Sequence, residues 1–171
     1  MLIATGKSAL AKEKDTELRI GAFSELYHKS SYKKMRIEKI STLNIQYLFP
    51  NLMDDNSAIF KDLRPHIGSM LNLNGGTSQY YAGLTWNIPI NNYFVELSFG
   101  GEIHNGPLKK PTTKKPRPLG SRLLFRESIA FGVNLKENAT LSFVIDHASN
   151  AHLANPNSGL TDIGLQLGYK F

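Results

Sequence analysis

Cysteine is absent from the chain, so neither a disulfide framework nor a thiolate metal site is available to it. Long apolar runs are absent as well. None approaches the roughly 18 residues that a membrane-crossing helix needs, which excludes such a helix. His28, His66, His104 and His152 stand at no metal-ligand spacing; no metal and no other cofactor is expected. There is no phosphate-cradling glycine loop: Gly75-Gly76 falls between two strand-like stretches and reads as a hairpin turn. Internal repeats are missing too, and 171 residues fit one domain. The net charge of +6 suits an anionic lipid surface, nucleic acid or plain solubility. The basic residues do not interleave with aromatics on one face, so no nucleic-acid partner is expected.

Residues 1–16 read as a tail ahead of the domain at 17–171. Ala9-Leu10-Ala11 fits a small-residue cleavage site, but the stretch before it is short and polar for a signal core. It is either the remnant of a signal peptide or an ordinary N-terminal tail.

What the chain does contain is alternation. A period of two picks out eight candidate strands: Glu17 to Tyr27, Lys39 to Phe49, Leu63 to Leu73, Ser78 to Ile88, Asn92 to His104, Ser121 to Val133, Thr140 to Ser149 and Leu160 to Phe171. In the fourth, Tyr80, Ala82, Leu84 and Trp86 alternate with Gln79, Gly83, Thr85 and Asn87. Pro65 weakens the start of the third, since proline donates no ladder hydrogen bond.

A soluble sandwich and a small membrane barrel share this pattern; the barrel turns its apolar face to lipid. Three features favour an all-β, eight-stranded antiparallel transmembrane barrel. The strands run about 10 to 13 residues, against a globular mode of about 5–6 and a membrane requirement of about 9–11. Aromatics such as Tyr27, Tyr47, Tyr80, Tyr93 and Tyr169 sit near strand ends, as in interfacial girdles. The last strand alternates and finishes on Phe171, like the C-terminal signal of outer-membrane barrels. Connectors then sort by side. His28 to Glu38, Asn74 to Thr77, Asn105 to Gly120 and Asn150 to Gly159 lie at one end, and Pro50 to Asp62, Pro89 to Asn91 and Asn134 to Ala139 at the other. Pro50 to Asp62 is long for a periplasmic turn.

Chemistry concentrates between His147 and Asp162. His147 and Ser149 are two apart and share a strand face; an imidazole and a hydroxyl so placed can act as base and nucleophile. Asn150 follows and can offer amide hydrogens to an oxyanion. Both residues have the parity of Leu141, Phe143 and Ile145, so they face lipid at a strand end. That is where an ester hydrolase for a membrane lipid needs its nucleophile.

The run His147-x-Ser149-Asn150-Ala151, then Pro156-Asn157-x-Gly159-Leu160, resembles the signature of the lipid A 3-O-deacylases, the PagL family. The remainder resembles the family in strand layout. The resemblance implies an eight-stranded barrel in the bacterial outer membrane, monomeric or homodimeric. Its partners would be lipid A or lipopolysaccharide and the membrane lipid. It also implies hydrolysis of the ester-linked 3-hydroxyacyl chain at position 3 of lipid A by a Ser-His-Glu triad. Ser149 is then the nucleophile, His147 the base and Asn150 the oxyanion donor. The family's glutamate falls on Thr161 here, and Asp162 comes one residue late, pointing into the lumen unless a bulge turns it.

Glu127 offers another carboxylate. It shares the lipid-facing parity of Phe125, Ile129, Phe131 and Val133, an expensive place for a charge. Register allows His147 to lie opposite Glu127 or Phe125, so Glu127 or Thr161 is expected as the third member. A glutamate held by Arg126, Arg122 or a bulge, or snorkelling to headgroups, is the plainer account. Lys109, Lys110, Lys114, Lys115 and Arg117 could hold lipid A phosphates, or simply solvate a proline-stiffened loop. Two further readings stand beside the deacylase: a catalytically inactive barrel with a structural or adhesive role, and a soluble ligand-binding barrel.

Overall fold

Side chains that alternate in polarity along every strand can be satisfied by a sheet that closes on itself. The computed structural model describes residues 16–29, 34–37, 39–52, 62–109, 116–136 and 138–171. They form β1 (Glu17–Lys29), β2 (Lys34–Ile37), β3 (Thr42–Leu48), β4 (Leu63–Asn72), β5 (Gln79–Ile90), β6 (Tyr93–His104), β7 (Leu123–Lys136), β8 (Ala139–Ser149) and β9 (Leu160–Lys170). Sequential neighbours pair antiparallel from β3 to β9, and β1 pairs with both β3 and β9. Eight strands therefore close into a barrel with no free edge. The ninth, β2, pairs only with the far end of β1, Leu26 to Lys29.

The strands expected from alternation are the ones that form, with shifted ends. β2 replaces part of the loop expected at 28–38, because the chain turns and pairs with an extended β1. The second barrel strand begins at Thr42 rather than Lys39. Asn91, at φ 56°, makes the two-residue turn between Ile90 and Tyr93. Part of the Pro50 to Asp62 connector, residues 53–61, lies outside the described residues.

Parity holds throughout. Leu18, Ile20, Ile45, Ile67, Leu165 and Leu167 are exposed on the outside. So wide an apolar surface is incompatible with water around the barrel wall. The inside is charged, and several of its charges are paired. Arg19 bridges Glu96 at 2.6 Å and Glu17 at 2.8 Å. Thr140 Oγ1 donates to Glu17 at 2.7 Å, and Arg126 pairs with Asp146 while lying 3.7 Å over the Tyr81 ring. Asn44 Nδ2 donates to the Tyr81 hydroxyl, and Gln166 Nε2 to Asn44 Oδ1, each at 2.7 Å. A small apolar cluster of Phe23, Met70, Tyr81, Ala130 and Val144 completes the filling. Among the described residues, a void between Arg19, Phe23, Asn44, Glu96 and Arg126 measures about 10 Å³, the space of one water at most.

Candidate active site

β8 ends at Ser149, and its last residues set the site. His147 is paired with Glu127 of β7 on one side and with Thr161 of β9 on the other. Ser149 is opposite Phe125. Of the two registers open to the sequence, the ladder adopts the one that puts the lipid-facing glutamate directly across from the histidine. Directly paired residues on one sheet face have Cβ atoms about 4.5–5.5 Å apart.

His147 Nδ1 is 2.8 Å from Thr161 Oγ1. Gly159, at φ +60°, lets the incoming chain pass beside the ring: a Cβ there would stand 3.1 Å from His147 Cε1. The sequence motif thus has a local reason, since glycine takes the left-handed turn without strain and leaves the ring uncrowded. Among the described residues no hydrogen bond joins Ser149 to His147, and the Glu127 carboxylate has neither hydrogen bond nor ion pair. Neither Arg126 nor Arg122 holds it. Arg126 turns inward to Asp146, and Arg122 donates to the carbonyls of His104 and Gly106 at 3.0 and 2.7 Å. β9 runs in regular register through Thr161 and Asp162. No bulge turns Asp162 outward; it is buried in the lumen.

Asn150 is placed differently from the sequence expectation of a free amide. It is buried, and its Nδ2 donates to Leu119 O at 2.9 Å and Pro156 O at 3.1 Å. Its main-chain N–H donates to Asn157 Oδ1 at 3.1 Å. Sequence reasoning missed these partners, because nothing in a motif announces contact with a loop some thirty residues away.

The basic loop is only partly in view. Lys109 is exposed, while Lys110, Lys114 and Lys115 lie outside the described residues. Arg117 is drawn to β1, with Nε 3.5 Å from Glu25 Oε1 and an N–H donated to Leu26 O at 3.2 Å.

Two hollows mark the outer wall around the pair. One, of about 410 Å³, is lined by Phe99, Leu123, Phe125, Asn150, Leu153 and Ala154, among others; Phe99 and Phe125 stack there at 6.4 Å between centroids. The other, about 310 Å³, lies against Glu127, Ile129, Ile145 and His147. No group of ligands that could hold a metal ion occurs among the described residues. The arrangement offers a hydroxyl and an imidazole beside an apolar groove, with a hydroxyl and a carboxylate flanking the imidazole. Such a set can perform acyl transfer.

A family model described as lipid A 3-O-deacylase (PagL) matches residues 41–170. No curated protein matches the sequence. Among solved structures, the outer-membrane enzyme PagL is similar with a TM-score of 0.62 at 18% identity, covering 92% of this chain and 99% of that one. The N-terminal β-barrel domain of Pseudomonas aeruginosa OprF gives 0.57 at 11% identity, with 91% and 97% covered. Yersinia pestis Ail gives 0.53 at 12% identity, with 93% and 100% covered.

Proposed function

The chain belongs to the lipid A 3-O-deacylase (PagL) family, and from this we propose that it hydrolyses the ester-linked 3-hydroxyacyl chain at position 3 of lipid A, with Ser149 as nucleophile and His147 as base at the outer-leaflet surface. The family is one of ester hydrolases, and the barrel is an outer-membrane one. The observation that carries the reading is the triplet Glu127, His147 and Thr161. It lies in register across three strands, on the lipid side, with Ser149 two residues along β8.

Ser149 Oγ attacks the ester carbonyl as its proton passes to His147 Nε2. The tetrahedral intermediate collapses, and the imidazolium returns the proton to the departing position-3 oxygen of lipid A. Water then repeats the sequence on the acyl-serine and frees the 3-hydroxy acid. For Nε2 to be the base, Nδ1 must carry the hydrogen, so Thr161 Oγ1 accepts from Nδ1. Thr161 thereby fixes tautomer and ring orientation, and Glu127, across the ladder, supplies the negative charge that steadies the imidazolium. The Ser149–His147 hydrogen bond forms as substrate binds, as is common for catalytic contacts that are long in the free enzyme. With the Asn150 amide hydrogens engaged, the oxyanion falls to a main-chain amide of the turn after Ser149. The apolar groove beside Phe125 takes the acyl chain. Lys109, with Lys110, Lys114 and Lys115 near it in sequence, supplies charge for lipid A phosphates.

Thr161 in place of a carboxylate also favours a second reading, an inactive barrel with a structural or adhesive role. Mass spectrometry of lipid A from outer membranes carrying the wild type, Ser149→Ala or Glu127→Gln separates the two. The expected result is loss of one 3-hydroxyacyl mass in the wild type, none with Ser149→Ala, and a sharply reduced rate with Glu127→Gln. Unchanged lipid A under a folded, inserted barrel supports the inactive reading, and an undiminished Glu127→Gln rate removes the glutamate from the mechanism.

A further inference from the structure

Asn150 sits where three segments meet: the end of β8, the base of the β6–β7 loop at Leu119, and the β8–β9 loop at Pro156 and Asn157. Its amide nitrogen faces two carbonyls, Leu119 O and Pro156 O, so its orientation is fixed: only the donor end can point there. Both of its hydrogens are used. The residue is 2% exposed, and its Oδ1 is buried with no hydrogen-bond partner among the described residues. What this side chain contributes therefore lies with its donors.

The segments are built to reach it. Leu119 N–H donates to Pro107 O at 2.9 Å and Gly120 N–H to Leu108 O at 3.1 Å, which zips the base of the β6–β7 loop. Gly120 has φ +75°, and a Cβ on it would collide with Pro156 O and stand 2.8 Å from Asn150 Nδ2. Glycine is required there both for the backbone conformation and for the approach of the two loops. Behind the clamp lies a small buried apolar cluster of Leu119, Leu124, Ala148 and Leu160. Asn150 also lines the groove, together with Leu153 and Ala154 of the β8–β9 loop.

We infer that Asn150 is a positioning residue rather than an oxyanion donor: it clamps the two loops to the end of β8, and so holds the groove wall and the Ser149 backbone in register. The inference rests on the deacylase reading for its kinetic consequence, not for the clamp itself. Substrate binding is what the clamp serves, because it holds the wall against which an acyl chain would lie.

Two variants test it from opposite sides. Asn150→Asp keeps the shape and removes both donor hydrogens; Gly120→Ala leaves residue 150 intact and wedges the loops apart. Each full-length barrel is reconstituted in lipid, and amide hydrogen exchange is followed at 116–121 and 150–159 together with steady-state kinetics on lipid A. The clamp predicts at least a tenfold loss of protection at Leu119, Gly120 and Leu153 in both variants, with the β8–β9 ladder still protected. It also predicts a rise in KM that outweighs the fall in kcat. An oxyanion donor predicts otherwise: Asn150→Asp would lower kcat by about 10²–10³ at unchanged KM, and Gly120→Ala would behave as wild type. That pair of results overturns the inference, as does unchanged protection in both variants. If the wild type proves to have no deacylase activity, the proposed function fails while the exchange data still decide on the clamp.

Discussion

At the scale of single residues, the unusual feature is a histidine whose Nδ1 meets a hydroxyl at 2.8 Å, where the motif's resemblance to the family implies a carboxylate. A neutral hydrogen bond to Nδ1 orients the ring, but in the proposed mechanism it does little for the charge that would appear when Nε2 takes the Ser149 proton. Loss of the carboxylate in a comparable triad costs about 10⁴ in rate, and some of that is recovered if Glu127 acts across the ladder. Thr161→Glu should therefore raise the initial rate of 3-hydroxyacyl release by tenfold or more, because position 161 already has the right parity and register. Thr161→Val, nearly isosteric, removes one neutral hydrogen bond and should lower the rate about tenfold. A Thr161→Glu rate no higher than wild type would mean that the ring is not short of a carboxylate. That His147 and Ser149 share a face was legible from sequence, since residues on one strand keep their spacing; Thr161, on β9, comes beside His147 through the ladder. The Asn150 partners were not legible, because they depend on how two loops fold back onto a strand end.

At the scale of strands, the period-two pattern read the ladder well because each side chain answers to one of two environments. Lipid takes Phe143 and Ile145, and the lumen takes Ser142, Val144 and Asp146. What alternation cannot give is register, and register is what set Glu127 rather than Phe125 against His147. Nor could it show β2, whose four residues pair with β1 beyond the barrel rim. The lumen ion pairs were equally unreadable, although their energetic consequence is large. Arg126 is buried against Asp146 and Tyr81, with the Glu102 carboxyl, which has no hydrogen-bond partner among the described residues, in the same lumen. Arg126→Met leaves buried carboxylate without its cation and should destabilise the barrel by about 3–5 kcal/mol. The double variant Arg126→Met with Asp146→Asn should recover much of that loss. Urea unfolding in lipid, followed by Trp86 fluorescence, measures both; equal stability of the single and double variants would show that the pair is not coupled.

For the molecule as a whole, the lumen is lined by polar side chains and the outer wall is apolar, so the position of any charge relative to the membrane fixes its cost. Leu165 and Leu18 test this on the same apolar face. Leu165 of β9 pairs with Phe143 and Ala22 in the middle of the wall, and is 58% exposed. Leu18 of β1 pairs with Tyr47 and Tyr169 near the terminal rim, where aromatic side chains gather. An arginine at the bilayer midplane costs about 2–4 kcal/mol, and one near the interface about 0–1 kcal/mol, because it snorkels to headgroups. Leu165→Arg should accordingly destabilise the barrel strongly in bilayers, and Leu18→Arg scarcely at all. Transfer to detergent micelles, which deform around a charge, should shrink the difference. If the two substitutions cost the same in bilayers, the wall has no depth profile. Ser149 and His147 would then have no physical reason to stand at a lipid interface, since they lie on that same wall, at the opposite rim from Leu18.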